Sequence, residues 1–333
     1  MPRTPDSPRG PADAGRRSVL FGAAALALTA SGCSGTATRG AQPPAPAASA
    51  SPSAATLPHT TAWRPNAADV DPAVKLRAVQ LIEALGTWRP GGEGAAKARA
   101  RVTALGLPAR LADQAGPLLS GADEAALQVI DAQYGGILAD SASVLVVCRQ
   151  WTRTGGGKVT AGGTTVDVRL SQARPRWSVT ALHPAAPGRA SSTLSATARK
   201  ILADRRISLP PASAADIRSG AVHPSALSAL LRLAGTYRID VSVVRSGHPL
   251  DVFGTDRPSD HPLGRAFDVW RINGHPVVAT STPRSLIESF MRAAAAAGSY
   301  NVGGPVQLGG GATTNQFFSD ATHHDHVHAG FNS

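Results

Sequence analysis

Two short stretches of the sequence combine histidine and carboxylate residues at spacings that suit a metal ion. In the first, His261 and Asp268 are separated by six residues, and a turn over 262–264 followed by a strand brings both side chains to one wall of a cleft. In the second, near the C-terminus, His326 and His328 alternate along a predicted strand and project from the same face. One carboxylate and two imidazoles leave a fourth position on zinc for water, which is the arrangement of a catalytic site.

The first stretch reads S-D-H-P-L-G-R-A-F-D at residues 259–268 and matches the S-x-H-x-x-G-x-A-x-D signature of zinc D-alanyl-D-alanine carboxypeptidases. Residues 195–333 therefore resemble that family, which belongs to the wider lysostaphin/carboxypeptidase/hedgehog superfamily of peptidoglycan peptidases. The resemblance implies a hedgehog/D-Ala-D-Ala carboxypeptidase-like zinc domain. It also implies that His261, Asp268 and His328 bind Zn²⁺.

The catalytic base stays open between two residues. The carboxypeptidases place a glutamate three residues before the last ligand, where this chain has the shorter Asp325. The lysostaphin and murein-endopeptidase branches carry His-x-His, whose first histidine assists catalysis and corresponds to His326. Pro249 stands where the carboxypeptidases carry an arginine after a Ser-Gly-aromatic turn. Arg245 and Arg257 are the remaining candidates to stabilise an oxyanion or to bind a substrate carboxylate.

The activity that the resemblance implies is zinc-dependent hydrolysis of peptide bonds in peptidoglycan stems or cross-links, by a D,D-carboxypeptidase or an endopeptidase. Asp325 or His326 then takes a proton from water and passes it to the leaving amine. Two alternatives stay open. One is a non-catalytic cell-wall-binding lipoprotein whose metal only braces the fold, and the other is an adaptor whose first domain recruits a partner protein.

The N-terminus predicts export. Arg16 and Arg17 precede an apolar run over 19–30, which is too short for a comfortable membrane span and ends in small residues before Cys33. Residues 1–33 thus resemble a lipoprotein signal peptide with Cys33 as the lipidated residue, and the paired arginines leave the twin-arginine route open. The expected location is extracytoplasmic, anchored to the cell membrane and facing the cell wall.

The net charge of +11 is unevenly placed, because residues 220–333 contain eight Arg and eight Asp or Glu. Aromatic residues make up only 5% of the chain, and no basic patch with interleaved aromatics is present in the sequence. We therefore expect no nucleic-acid partner. A basic exported protein suits an anionic cell wall.

Composition and periodicity predict an α+β protein with two folded domains. Residues 34–65 are rich in Ala, Pro and Ser and predict a disordered tether. Residues 66–187 predict an accessory domain of helices followed by antiparallel strands, which resembles the cone-shaped nuclear transport factor 2-like fold in architecture and offers a docking surface for a protein partner. Residues 193–333 form the predicted zinc domain. In the accessory domain the predicted helices are one opening at Asp71-Pro72, then 95–105, 108–119 and a further one at 123–133, and the predicted strands are 143–152, 164–170 and 177–182.

Overall fold

The computed structural model describes residues 56–332, which belong to one compact unit. The predicted signal peptide, Cys33 and residues 34–55 of the predicted tether lie outside the described residues. Within the described part, no helix is long and apolar enough to cross a membrane. Residues 56–65 are described, and the side chain of Gln128 exchanges two hydrogen bonds with the backbone of Thr61.

Residues 72–184 form the first layer, in which helices are followed along the chain by antiparallel strands. The periodicity of the sequence predicts this order. Asp71 caps the first helix by accepting a hydrogen bond from the Ala73 N–H, and Pro72 occupies the first turn, where its missing N–H is harmless. The four strands pair in the order β1-β2-β3-β4. The elements are α1 (Pro72–Gly86), α2 (Ala95–Ala104), two 3₁₀ helices (Ala109–Gln114 and Gly116–Leu118), β1 (Glu124–Ile137), β2 (Ser141–Arg153), β3 (Thr160–Ser171) and β4 (Ser178–Pro184).

One helix prediction in this layer was wrong, and another was confirmed only in part. The helix expected over 123–133 is strand β1, because pairing along the whole of β2 outweighs the helix propensity of its alanines. A register shift between Val129 and Asp131 moves the core-facing positions from odd to even numbers, so Gln133 lies on the face opposite the core of this layer. The helix expected over 108–119 is instead the two short 3₁₀ helices.

The second layer is a mixed sheet of short strands flanked by helices. Its strand order is β10-β9-β11-β7-β6-β5, with β8 paired to β7. The elements are α3 (Ala196–Ala203), β5 (Ile207–Ser208), α4 (Pro211–Ser219), α5 (Pro224–Ala234), β6 (Ile239–Val241), β7 (Ala266–Ile272), β8 (His275–Pro276), α6 (Arg284–Ala296), β9 (Asn301–Gly303), β10 (Phe317–Phe318) and β11 (Val327–Gly330).

The predicted α+β class is confirmed, with one antiparallel and one mixed sheet. Asn273 and Gly274 form the turn that joins β7 to β8, and both residues have positive φ, as is typical of a two-residue hairpin turn. The face of the first sheet that carries Leu145 and Val147 packs on Val243 of the second layer. This contact brings the side chains of β1 to the central strands β7 and β11.

Candidate metal centre

The pairing of β7 with β11 builds the centre of the site. His328 lies directly opposite Asp268 in the antiparallel register, so the two side chains leave the same face of the sheet. His261 comes from the turn before β7, and its Nδ1 is 2.9 Å from the carbonyl oxygen of Val244. Because a carbonyl only accepts, Nδ1 of His261 carries the proton and Nε2 presents its lone pair to the site.

Three side-chain atoms converge at this point. Nε2 of His261 is 3.1 Å from Oδ1 of Asp268 and 3.2 Å from Nδ1 of His328, and the latter is 2.9 Å from the same carboxylate oxygen. With zinc bonds of about 2.0–2.1 Å, the ligands of a tetrahedral site lie about 3.3 Å apart. A lone pair facing a carboxylate at 3.1 Å is repulsive unless a proton or a cation lies between them. The spacing and the chemistry of these three residues therefore fit a zinc ion.

His248 is a second histidine beside the same two residues. His248, His261 and Asp268 offer potential ligand atoms that all lie within 4.8 Å of one another. The His248 ring, however, stacks on His261 with 4.1 Å between centroids and 19° between planes. Imidazole lone pairs lie in the ring plane, so two nearly parallel rings do not point at one ion. The His261 and His328 planes cross at 57°, which favours His328 as the third ligand.

A chain of buried hydrogen bonds leads away from His326. Its Nδ1 donates to Oδ1 of Asp325 at 2.6 Å, and Oδ2 of Asp325 lies 2.6 Å from Nζ of Lys75 and accepts from the Tyr134 N–H at 3.0 Å. Burial acts to raise the pKa of Asp325, but Lys75 and the His326 hydrogen bond hold it at about 2. Burial acts to lower the pKa of His326, but the Asp268 and Asp325 carboxylates outweigh it and raise that pKa. Asp325 is therefore an ionised partner that fixes the orientation of His326.

The first layer supplies residues to this centre that our sequence reasoning missed. Gln133 on β1 donates from Nε2 to Oδ2 of Asp268 at 2.6 Å and accepts from the Ser242 hydroxyl. Lys75 on α1 is 2% exposed and also bonds Asp69. A signal for Lys75 was present in the sequence, because this lysine lies beside Val74 on an apolar helix face that is expected to be buried. A buried lysine almost always has a carboxylate partner. Gln133 gave no such signal.

Some of the predicted site residues line a cavity of ≈ 550 Å³ and others do not. His261, His326 and His328 line this cavity, together with the exposed Arg257. Asp325 is not among its lining residues. Arg245, the other predicted arginine, lies outside it and 3.8 Å from the buried carboxylate of Asp216.

Gly264 of the signature closes the turn between the candidate ligands His261 and Asp268. Its φ is +71°, and a Cβ there would lie 2.2 Å from the carbonyl oxygen of Ala221. Gly264→Ala is therefore expected to lose about 1–3 kcal/mol from backbone strain alone and more from the clash, measured by urea unfolding. Gly274→Ala is the control, since its φ is +85° but no atom lies within 4 Å of the added Cβ. Equal losses in both variants would contradict the close approach at Gly264.

Comparison of the chain with protein families, with curated proteins and with solved structures found no match.

Proposed function

We propose that the chain is a zinc metallopeptidase that hydrolyses peptide bonds of peptidoglycan. The observation that carries this proposal is the triangle of ligand atoms from His261, Asp268 and His328, which lies at a cavity next to the oriented imidazole of His326. Three protein ligands leave a coordination position open, which structural zinc sites do not. The peptidoglycan substrate rests on the resemblance of 259–268 to the carboxypeptidase signature.

The role of each site residue in this proposal follows from its contacts. His261, Asp268 and His328 would hold the zinc ion, which when bound lowers the pKa of water and polarises a carbonyl group. His326 is the general base, because Asp325 occupies its Nδ1 and Nε2 remains to take a proton and pass it to the leaving amine. Asp325 is a positioning residue, since both of its oxygens are already bonded. Arg257 on the cavity wall binds an anionic group of the substrate.

The finer features of the fold and the location belong to the same proposal. The second layer is of the hedgehog/D-Ala-D-Ala carboxypeptidase-like type, and the first is nuclear transport factor 2-like. The signal peptide and Cys33 anchor the protein to the membrane, so the zinc centre faces the cell wall. Zn²⁺ is the cofactor and peptidoglycan peptides are the partners.

The test is mass spectrometry of purified peptidoglycan after incubation with the zinc-loaded protein. We expect released alanine or loss of cross-linked dimers, and a chelator should stop either reaction. His326→Ala is expected to lower kcat about 10²–10⁴-fold while zinc stays bound, because it removes only the proton transfer.

His275→Ala is the matched control, since His275 is exposed on β8. If the zinc-loaded protein releases no product from peptidoglycans of several chemical types, the peptidase proposal is overturned. Unchanged turnover by His326→Ala would instead reject His326 as the base.

A further inference from the structure

A second cavity adjoins the metal centre. Its volume is ≈ 640 Å³, and Leu138, His248, Val252 and Phe253 line both cavities. The His248 ring, which lines both cavities, stacks directly on the predicted ligand His261. The second cavity therefore lies within one side chain of the candidate metal centre. Each cavity has the size of a site for an extended ligand, and a single terminal alanine is far smaller than either.

The second cavity carries a guanidinium group with unused donors. Asp216 accepts from the backbone N–H groups of Arg245 and Ser246 and from the Ser246 hydroxyl. The Arg245 guanidinium is 3.8 Å from Asp216, which is too long for a hydrogen bond, and it donates none to any other described residue. Its side chain is 29% exposed. The carboxylate of Asp216 thus holds the backbone of Arg245 in place, while the hydrogen-bond donors of the planar guanidinium remain available to a ligand.

A second arginine lines the same cavity from the first layer. Arg169 donates from Nε to Asp167 at 2.7 Å and lies over the Phe253 ring, and among the described residues no partner engages its Nη nitrogens. Asp167 is buried, and its other oxygen accepts from Ser143. The carboxylate of Asp251 also lines the cavity but is exposed. The Nη nitrogens of the two arginines have no hydrogen-bond partner among the described residues, and such charged donors suit a carboxylate.

Apolar side chains complete this cavity. Leu250 is 74% exposed and Leu138 is 48% exposed, and both line it. Large apolar side chains that remain exposed beside polar groups are typical of binding sites. Their presence next to free arginine donors indicates a ligand with both aliphatic and carboxylate groups, which are the groups of a peptide.

We propose that the second cavity is a subsite for a carboxylate-bearing peptide strand, bound by Arg245 and Arg169, on one side of the scissile bond. This inference rests on the proposed peptidase function and specifies its substrate class. Chain lies on both sides of an internal bond or a cross-link, but not of the bond to a single terminal residue. A cross-linked dimer can fill both cavities, whereas a single stem cut at its terminal alanine cannot. The enzyme is thus an endopeptidase of cross-linked stem peptides in preference to a carboxypeptidase of single stems.

The test compares two substrates, a cross-linked muropeptide dimer and a single pentapeptide stem, with the zinc-loaded full chain. Arg245→Gln is expected to lower the ratio of kcat/KM for the dimer to kcat/KM for the single stem about tenfold, through KM, since a charge-assisted hydrogen bond is lost. Arg169→Gln should lower the same ratio. Arg149→Gln is the control, because Arg149 is exposed on β2 and lines neither cavity.

Binding of the dimer to zinc-free protein, measured by titration calorimetry, separates this inference from the peptidase proposal. Weaker binding by Arg245→Gln together with no cleavage by the wild type would keep the subsite and reject the peptidase. Cleavage with an unchanged substrate ratio in both arginine variants would reject the subsite and keep the peptidase. Absence of both binding and cleavage would reject both.

Discussion

Replacing Asp268 with asparagine is expected to abolish both zinc binding and peptidase activity. Asp268 is the anionic member of the ligand triangle, and its Oδ1 contacts both histidine nitrogens. Loss of an outer-shell partner alone weakens metal binding about 10–100-fold, so loss of this first ligand should exceed 100-fold. The measurement is zinc affinity by competition with a chromophoric chelator, alongside turnover of peptidoglycan.

Thermal unfolding gives this prediction a second readout that does not depend on activity. Zinc that binds only the folded state raises the Tm of the wild type, and this shift should vanish in Asp268→Asn. The zinc-free variant should be less stable than the zinc-free wild type, because His261 and His326 hold the pKa of the buried Asp268 carboxyl well below its usual range and the substitution removes this pairing. Asp240→Asn is the control, since Asp240 pairs with Arg271 on the neighbouring strands. A zinc-induced Tm shift that survives in Asp268→Asn would reject this metal centre.

The convergence of His261 and Asp268 could be predicted from the sequence because its determinants are local, whereas the place of His328 beside them was predicted from the family resemblance. His261 and Asp268 are joined by one tight turn and one strand, and the glycine that permits the turn is part of the pattern. The prediction that His326 and His328 share one strand holds only for His328, because β11 begins at Val327 and His326 directly precedes it. The sequence did not decide whether Asp325 or His326 is the base. That choice depends on the groups that surround Asp325, and its neighbours in the chain do not determine them.

The contributions of the first layer could not be anticipated, because they are made over long sequence separations. Lys75 and Asp325 are 250 positions apart, and Gln133 meets Asp268 only because β1 is a strand with a register shift. Since 123–133 was expected to be helical, the alternation of its side chains between the two faces of a strand was not predicted. Residues 66–187, expected to be an accessory domain, provide buried hydrogen bonds to Asp268 and Asp325 of the candidate metal centre.

Lys75→Met is the second substitution with a large expected effect, and it tests this dependence on the first layer. Lys75 is buried between Asp325 and Asp69, so methionine leaves two buried carboxylates without their cation. Breaking a buried ion pair from one side costs about 3–5 kcal/mol, which urea unfolding would report. Lys97→Met, an exposed change on α2, should have little effect.

The pH dependence distinguishes lost charge compensation from general damage to the core. In the wild type the depressed pKa of Asp325, about 2, stabilises the fold above the unfolded-state pKa, and this contribution is lost only as pH falls towards 2. Without Lys75, the largest influence that opposes burial is lost, so the pKa of Asp325 is expected to rise above its usual value. A raised carboxyl pKa gives the pH dependence of stability the opposite sign. The variant should therefore become less stable as pH rises from the unfolded-state pKa through the raised pKa of Asp325. A loss of stability independent of pH would contradict the role of Lys75 as a counter-ion.

The consequence for catalysis follows from the same hydrogen-bond chain. A protonated or displaced Asp325 no longer accepts from Nδ1 of His326, so kcat should fall and its acid limb should move to higher pH, while zinc stays bound. The double variant Lys75→Met/Asp325→Asn removes charges of both signs and should recover part of the lost stability, with a coupling energy that a double-mutant cycle measures. It should not restore kcat fully, because a neutral amide stabilises the protonated imidazole of His326 less than a carboxylate does. Full recovery of kcat in the double variant would mean that the first layer acts on this centre through stability alone.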